Sequence, residues 1–231
     1  MQIKILSWNI WWDCQFEQVA EFLNSSNADI IGLQEVSPED KNRDVIGYLT
    51  KLGYQYVFSP IVDIQNKGYK KEPVGNAIFS KFDILKSETH ILSEVDSRIA
   101  IEADFKIGDK ELNVFNVHLL HTHQNPSEIQ ALQAENLIKI LPDKNTVVMG
   151  DFNATPESDA IKSMNSVLKN VADDSNPTWS LDEKGCPVCK VGDLKYCLDY
   201  IFVSKDIQSH SFKIENPKGS DHLPISVMIE I

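Results

Sequence analysis

The run Thr146-Val147-Val148-Met149 is apolar, and it ends at Gly150-Asp151-Phe152-Asn153 in a carboxylate and an amide two residues apart. So short an apolar run, punctuated by glycine, reads as a buried strand with its chemistry at one end. Residues i and i+2 of a strand share a face. Asp151 and Asn153 therefore reach one ligand together if extended geometry persists as far as Asn153. The same Asp-x-Asn is also ordinary turn chemistry, in which the side chains cap their own backbone. Pro156 and Glu157 then mark a turn and a helix start.

The pattern recurs. Gln2 to Trp8 alternates as a strand and delivers Asn9, Asp29 to Glu35 is a short apolar strand delivering Glu35, and Glu111 to His118 ends in an imidazole. Polar residues where buried strands emerge are where open sheets assemble sites. Further strands are expected at Tyr54 to Phe58, Asn76 to Ser80, Ile84 to Leu92, Ile99 to Ile107, Leu198 to Val203 and Leu223 to Ile231. Ile107-Gly108-Asp109-Lys110 reads as a hairpin tip. Helical spacing runs through Phe16, Val19, Ala20, Phe22 and Leu23, and Asn24-Ser25-Ser26-Asn27 closes that segment. Val45 to Leu52, Glu128 to Ile140 and Glu157 to about Leu168 also read as helices, the second with Ile129, Leu132, Leu137 and Ile140 as its apolar positions.

Strands in succession with few helices between them argue for mixed sheets. The expectation is a two-sheet sandwich with helices outside and a core that includes Ile5, Ile31, Val114, Phe115, Val147, Val148, Ile201 and Val227. No linker, repeat or low-complexity tract divides the chain, so residues 1–231 are read as one domain.

Charge narrows the function. Lys and Arg total 22 against 34 Asp and Glu, a net charge of -12. Such a surface repels polyanions, which disfavours a processive DNA binder. It leaves room for a nuclease that meets its substrate in a small, metal-charged cleft. No apolar run is long enough to cross a bilayer and the first residues do not look like a cleavable leader, so a cytoplasmic protein without stable membrane insertion is expected. Cys186 and Cys189 form a Cys-x-x-Cys, yet with Cys14 and Cys197 they lack the second close pair of a convincing zinc site, and reduced thiols are expected. Asn66-Lys67-Gly68-Tyr69-Lys70-Lys71 is either a solvated loop or a substrate edge whose lysines meet phosphate.

The polar residues at strand ends or in flanking turns are Asn9, Glu35, His118, Asp151, Asn153, Asp199, Asp221 and His222. Together they supply what metal-assisted phosphate-ester cleavage requires. Hard oxygen ligands suit Mg2+ or Mn2+, a carboxylate orients or deprotonates water, and imidazoles bind or protonate phosphate oxygens.

The ordered motifs Ser7-Trp8-Asn9, Leu33-Gln34-Glu35-Val36, Gly75-Asn76-Ala77-Ile78, Asn116-Val117-His118-Leu119, Gly150-Asp151-Phe152-Asn153, Leu198-Asp199-Tyr200-Ile201 and Ser220-Asp221-His222-Leu223-Pro224 span nearly the whole chain. In that order they resemble the endonuclease/exonuclease/phosphatase family, which includes deoxyribonuclease I, abasic-site endonucleases, neutral sphingomyelinases and inositol polyphosphate 5-phosphatases. The resemblance implies a four-layer α/β sandwich with two central mixed β-sheets flanked by helices. It implies Glu35 as the main metal-binding carboxylate, supported by Asn9 and Asp221. Asp151 would activate water, Asn153 would hold phosphate or that water, and His222 would contact phosphate with Asp199 as its carboxylate partner. His118 matches a position for a phosphate-binding or proton-donating histidine.

The implied activity is a monomeric, Mg2+-dependent phosphodiesterase, with Mn2+ as an alternative ion and nucleic acid as the first substrate class. A lipid or small-molecule phosphoesterase is the alternative, and a catalytically silent binding domain the reading from another class. Trp11 and Trp12, close behind Asn9, suit stacking on a base, contact with an acyl chain, or burial. Cys197 stands where many relatives carry a basic residue, and the Cys186/Cys189 insert has no counterpart in the family pattern.

Overall fold

The computed structural model describes residues 1–38, 40–61, 74–94, 97–122, 125, 127–172, 176–179 and 196–231. The basic cluster at 66–71 and both Cys186 and Cys189 lie outside them.

Two six-stranded sheets are built around two parallel strand pairs. In the first, β1 (Gln2–Asn9) leads through helix α1 (Phe16–Ser26) into parallel β2 (Ile30–Val36). In the second, β7 (Lys110–His118) leads through α3 (Glu128–Ile140) into parallel β8 (Thr146–Asp151). Parallel neighbours need such a crossover, whereas the remaining strands pair antiparallel. The first sheet runs β11-β12-β1-β2-β4-β3, with β3 (Gln55–Pro60), β4 (Gly75–Ser80), β11 (Gln208–Ile214) and β12 (Ile225–Glu230). The second runs β5-β6-β7-β8-β10-β9, with β5 (Ile84–Ile91), β6 (Ile99–Ile107), β9 (Lys169–Asn170) and β10 (Asp199–Val203). Helices α2 (Val45–Lys51) and α4 (Asp159–Val167) complete the set.

Strand alternation sorts the apolar residues into three layers. Ile5, Val114, Val147, Ile201 and Val227 pack between the sheets. Ile31, Leu6 and Trp8 face outward against α1 and α2 through Val19, Leu23, Val45 and Leu49. Phe115 and Val148 face outward against α3 and α4 through Ala134, Leu137, Ile161 and Met164. The result is the expected four-layer sandwich, and every expected core residue is buried. Each fully buried aliphatic contributes about 1.5–3 kcal/mol relative to exposure.

A polar bridge crosses the apolar middle layer. Asn116 Nδ2 donates to the Leu33 and Ala77 carbonyls at 2.9 and 2.8 Å, and its Oδ1 accepts from Gln34 Nε2 at 2.6 Å. Asn116, with its amide donors and its carbonyl oxygen all engaged, ties one sheet to the other at this point. Gly150, at φ +146°, is a glycine because a Cβ there would run into the Val117 carbonyl of the neighbouring strand.

Two expectations are corrected. Helix α3 does not bury Ile129 and Leu132; Leu132 is exposed, and Gln130, Gln133, Ala134 and Leu137 face inward. The glutamines are needed there because they satisfy loop backbone: Gln130 Nε2 donates to the Leu120 and Asn153 carbonyls, and Gln133 Oε1 accepts from Leu120 N–H. Strand β11 was not among the expected strands, because as a half-exposed edge strand it carries polar residues at most positions.

Candidate active site

Alternation aims most of the site. On β1, Ile3 and Ile5 face the middle layer, so Ser7 and Asn9 do too. The same parity turns His118, Asp151 and Asp199 inward at the matching ends of β7, β8 and β10, with Asp151 in register with both His118 and Asp199. Glu35 is the exception. Ile31 and Leu33 face outward, so an unbroken strand would send Glu35 to the helices. Instead the β2–β4 register shifts between Leu33 and Val36, and Glu35 adopts φ +60°. This bulge re-aims the carboxylate, which accepts from Asn9 Nδ2 at 3.1 Å and Trp12 N–H at 3.1 Å.

Asp151 is the hub. Its Oδ2 accepts from Asn9 Nδ2 at 3.0 Å and Asn153 Nδ2 at 3.2 Å, and lies 3.5 Å from His118 Nε2 and 3.7 Å from His222 Nε2. Its Oδ1 accepts the Asn153 N–H at 2.8 Å. Extended geometry does not persist to Asn153, which sits at φ +50°. The Asp-x-Asn therefore caps its own turn and still joins the hub. His222 Nδ1 lies 2.9 Å from Asp199 Oδ2, the pairing expected of those two residues.

Burial and neighbours spread the ionisation of these groups. Burial first, then Asp199, pushes the Asp151 carboxyl up to about 7 against the opposing pull of His222. Burial and the facing Glu35 raise Asp221 to about 6. Burial alone would depress His222, but the charges of Asp199 and Asp151 hold its imidazolium well above the ordinary range. His118, buried and facing Arg98 and His222, is held neutral, well below that range.

Glu35, Asp221 and Asn9 form an oxygen-rich donor set in which the Glu35 charge disfavours that of Asp221. That chemistry fits a hard divalent cation such as Mg2+ or Mn2+. Ligand atoms of Asp151, Asp199 and His222 also converge. There, however, the imidazolium already lies between the two carboxylates.

Residues 176–179 add parts that strand-end reasoning missed. Thr178 Oγ1 accepts the N–H groups of Leu198 and Asp199 at 3.0 and 3.1 Å, and its carbonyl accepts Leu223 N–H at 2.6 Å. The Trp179 side chain hydrogen bonds to Asp221, and its ring lies 6.4 Å from that of His222. His121 Nδ1 meets Asn153 Oδ1 at 2.8 Å. Ser220 Oγ donates to the Asn9 carbonyl at 2.6 Å, and Trp8 Nε1 donates to the His222 carbonyl at 2.9 Å. Thr178, Trp179 and His121 sit in loops without periodicity and outside the motifs, whereas Trp8 and Ser220 lay within them.

The sequence profile of the Endonuclease/Exonuclease/phosphatase family matches residues 6–222. The chain belongs to this family. Endonuclease/exonuclease/phosphatase proteins are hydrolases of phosphate esters, and solved structures with this fold resemble the chain over nearly its whole length. The human Nocturnin catalytic domain with bound sulfate superposes with a TM-score of 0.77 at 22% identity, covering 99% of this chain and 94% of that one. A family member from Bacteroides vulgatus gives 0.77 at 23% identity, covering 100% and 99%. ANGEL2, a 2′,3′-cyclic phosphatase, gives 0.74 at 14% identity, covering 99% and 95%. At these identities the likeness is one of fold. No curated protein matches the chain significantly by sequence. Among the described residues no helix is long and apolar enough to cross a membrane.

Proposed function

We propose that the protein is a divalent-metal-dependent phosphodiesterase that cleaves a nucleic-acid strand by in-line attack of water. The observation that carries this reading is the Asp151 hub. One buried carboxylate, raised to about 7, faces a neutral imidazole on one side and a charged imidazole on the other. Titratable neighbours pushed apart in this way are the mark of acid–base division of labour.

In this mechanism Asp151 takes a proton from the attacking water, and its position near neutrality suits a general base. Asn9 and the Asn153 backbone N–H fix which lone pairs remain free. Asn153, oriented by His121, steadies the same carboxylate from its own amide. The His222 imidazolium, braced by Asp199, stabilises charge gathering on the phosphate oxygens. His118 binds a phosphate oxygen as a neutral donor. Glu35, Asp221 and Asn9 would hold Mg2+ or Mn2+, which supplies charge neutralisation at the phosphate when bound.

The nucleic-acid assignment rests on Trp11 and Trp12. Both indoles are partly exposed, with centroids 6.4 Å apart, and their backbone N–H groups bond Asn9 Oδ1 and Glu35 Oε2 at 3.0 and 3.1 Å. Aromatic faces tied to the catalytic end suit stacking of a base. The structurally similar ANGEL2 has been solved with adenosine-2′,3′-vanadate. A net charge of -12 favours a short single strand over a long duplex.

The test offers the protein supercoiled plasmid, a single-stranded RNA oligonucleotide and bis(p-nitrophenyl) phosphate with Mg2+ or Mn2+, with chelator and Asp151→Asn as controls. Metal-dependent cleavage of a nucleic acid, lost in the variant, is the expected result. Hydrolysis of the small diester alone moves the substrate to lipid or small-molecule esters. No hydrolysis by folded protein overturns the reading in favour of a silent binding domain.

A further inference from the structure

The inward-facing ends of the two sheets form opposing rows. On the first sheet the order is His222 beside β12, Asn9 on β1, Glu35 on β2 and Asn76 on β4. On the second it is Asp199 on β10, Asp151 on β8 and His118 on β7. Two cross-sheet pairs are bonded: His222 with Asp199 at 2.9 Å and Asn9 with Asp151 at 3.0 Å.

The far end of the rows is different. Asn76 shares the face of Ile78, which packs between the sheets, and lies across from the Glu35 bulge between Ala77 and Gly75. Asn116 bonds the Ala77 carbonyl, and His118 is the next inward residue on β7 toward the site. Asn76 and His118 thus occupy the same level on facing sheets. Asn76 is fully buried, and neither its Nδ2 nor its Oδ1 has a hydrogen-bond partner. His118, itself buried, has an unpartnered Nδ1. Buried polar atoms left unpaired are costly, and an apolar residue of the same shape would avoid the cost.

We infer that Asn76 is the positioning residue for His118, its Nδ2–H donating to His118 Nδ1 when an oxyanion is bound. The direction follows from the other ring nitrogen. His118 Nε2 faces the Asp151 carboxylate at 3.5 Å, so the proton of the neutral ring belongs on Nε2. Nδ1 is then an acceptor, and the amide of Asn76 is the donor that fixes this tautomer. His118 Nε2–H is thereby aimed at the Asp151 side, where a phosphate oxygen would lie. The catalytic part of this inference rests on the phosphodiesterase reading, whereas the tautomer part does not.

The experiment compares wild type with Asn76→Leu and Asn76→Asp, using 15N-histidine NMR and steady-state kinetics with bis(p-nitrophenyl) phosphate; His118→Gln assigns the His118 signals. NMR is recorded with and without vanadate as an oxyanion probe. Wild type with vanadate is expected to show His118 protonated at Nε2 with a hydrogen-bonded Nδ1. Asn76→Leu is expected to lose that signature and about tenfold in kcat, with KM little changed and a melting temperature equal to or above wild type. Asn76→Asp, which offers only an acceptor, is expected to move the proton to Nδ1. Unchanged His118 shifts in Asn76→Leu overturn the inference whatever the activity, and so do unchanged shifts in Asn76→Asp. If wild type hydrolyses no diester while the shifts respond as expected, the phosphodiesterase reading fails and the positioning of His118 stands.

Discussion

The two strand–helix–strand units, β1-α1-β2 and β7-α3-β8, have the same topology and each sends two polar residues to the same end of the sandwich. They do it by different means. In the second unit, plain alternation aims both His118 and Asp151 inward from regular strand, in register with each other. In the first, alternation aims Asn9, but Glu35 reaches the cleft only through a register shift and a left-handed backbone. Such a conformation costs about 1–3 kcal/mol and persists only where its surroundings pin it. Here the pins are Asn9 Nδ2 and Trp12 N–H. The polar end of the second unit is thus fixed by regular strand geometry, and that of the first by an irregular one held by two hydrogen bonds.

The largest effects separate the halves directly. Asp151→Asn and Glu35→Gln are each expected to lower kcat on the order of a thousandfold. They differ in metal response. Glu35→Gln is expected to weaken Mn2+ binding and to regain activity in part at raised metal concentration. Asp151→Asn is expected to bind Mn2+ as wild type does and to stay inactive. Mn2+ titration beside steady-state kinetics reads both, and equal loss of affinity in the two variants would place Asp151 in the ion's ligand set.

A smaller effect is expected where the two units meet a third element. Asp199 opposes Asp151 in register and sets the charge of His222. Because the His222 pKa is raised, the imidazolium is present below that raised value and is lost as pH climbs through it. Asp199→Asn removes the largest raising influence, so the alkaline limb of kcat/KM is expected to move to lower pH, with activity at pH 7 falling about 10- to 100-fold. An alkaline limb that stays in place would separate His222 from the pH profile.

How far the sequence reached follows the same division. Short apolar runs ending in Asn9, His118 and Asp151 were legible because strand periodicity states both the element and the direction of its last side chain. Glu35 was found at its strand end, but the left-handed turn that aims it was not, since no periodicity encodes a bulge at a glutamate. The sequence left Asp151-Phe152-Asn153 open between extended strand and a self-capping turn, and the turn is what forms, with Asp151 Oδ1 accepting the Asn153 N–H. Thr178, Trp179 and His121 were not assigned to the catalytic set, because they come from loops whose closeness to the site depends on the packing of both sheets. The buried face of α3 was misplaced for a related reason. Gln130 and Gln133 are inside to satisfy loop backbone, a demand that apolar periodicity does not carry.

The smallest expected effect concerns the outer face of the sheet that holds the second unit. Asp104 on β6 is buried beside Glu102 and opposite Lys86, with one carboxylate oxygen unpartnered. Burial first, then the charges of Glu102 and Glu111, push its carboxyl from 3.8 to about 6. The folded state therefore holds this proton more tightly than the unfolded chain. The associated stability is fully present below about pH 4 and is lost as pH rises through 6. Asp104→Asn keeps the shape and cannot ionise, so it is expected to be more stable than wild type at pH 8 by about 1 kcal/mol, after allowing for solvent screening at the sheet surface. At pH 5 the gain should shrink. Urea melts at the two pH values read the difference. A gain of equal size at both would mean that the carboxylate's charge is not what the sheet resists, and that the regular half of the molecule carries strain of some other kind.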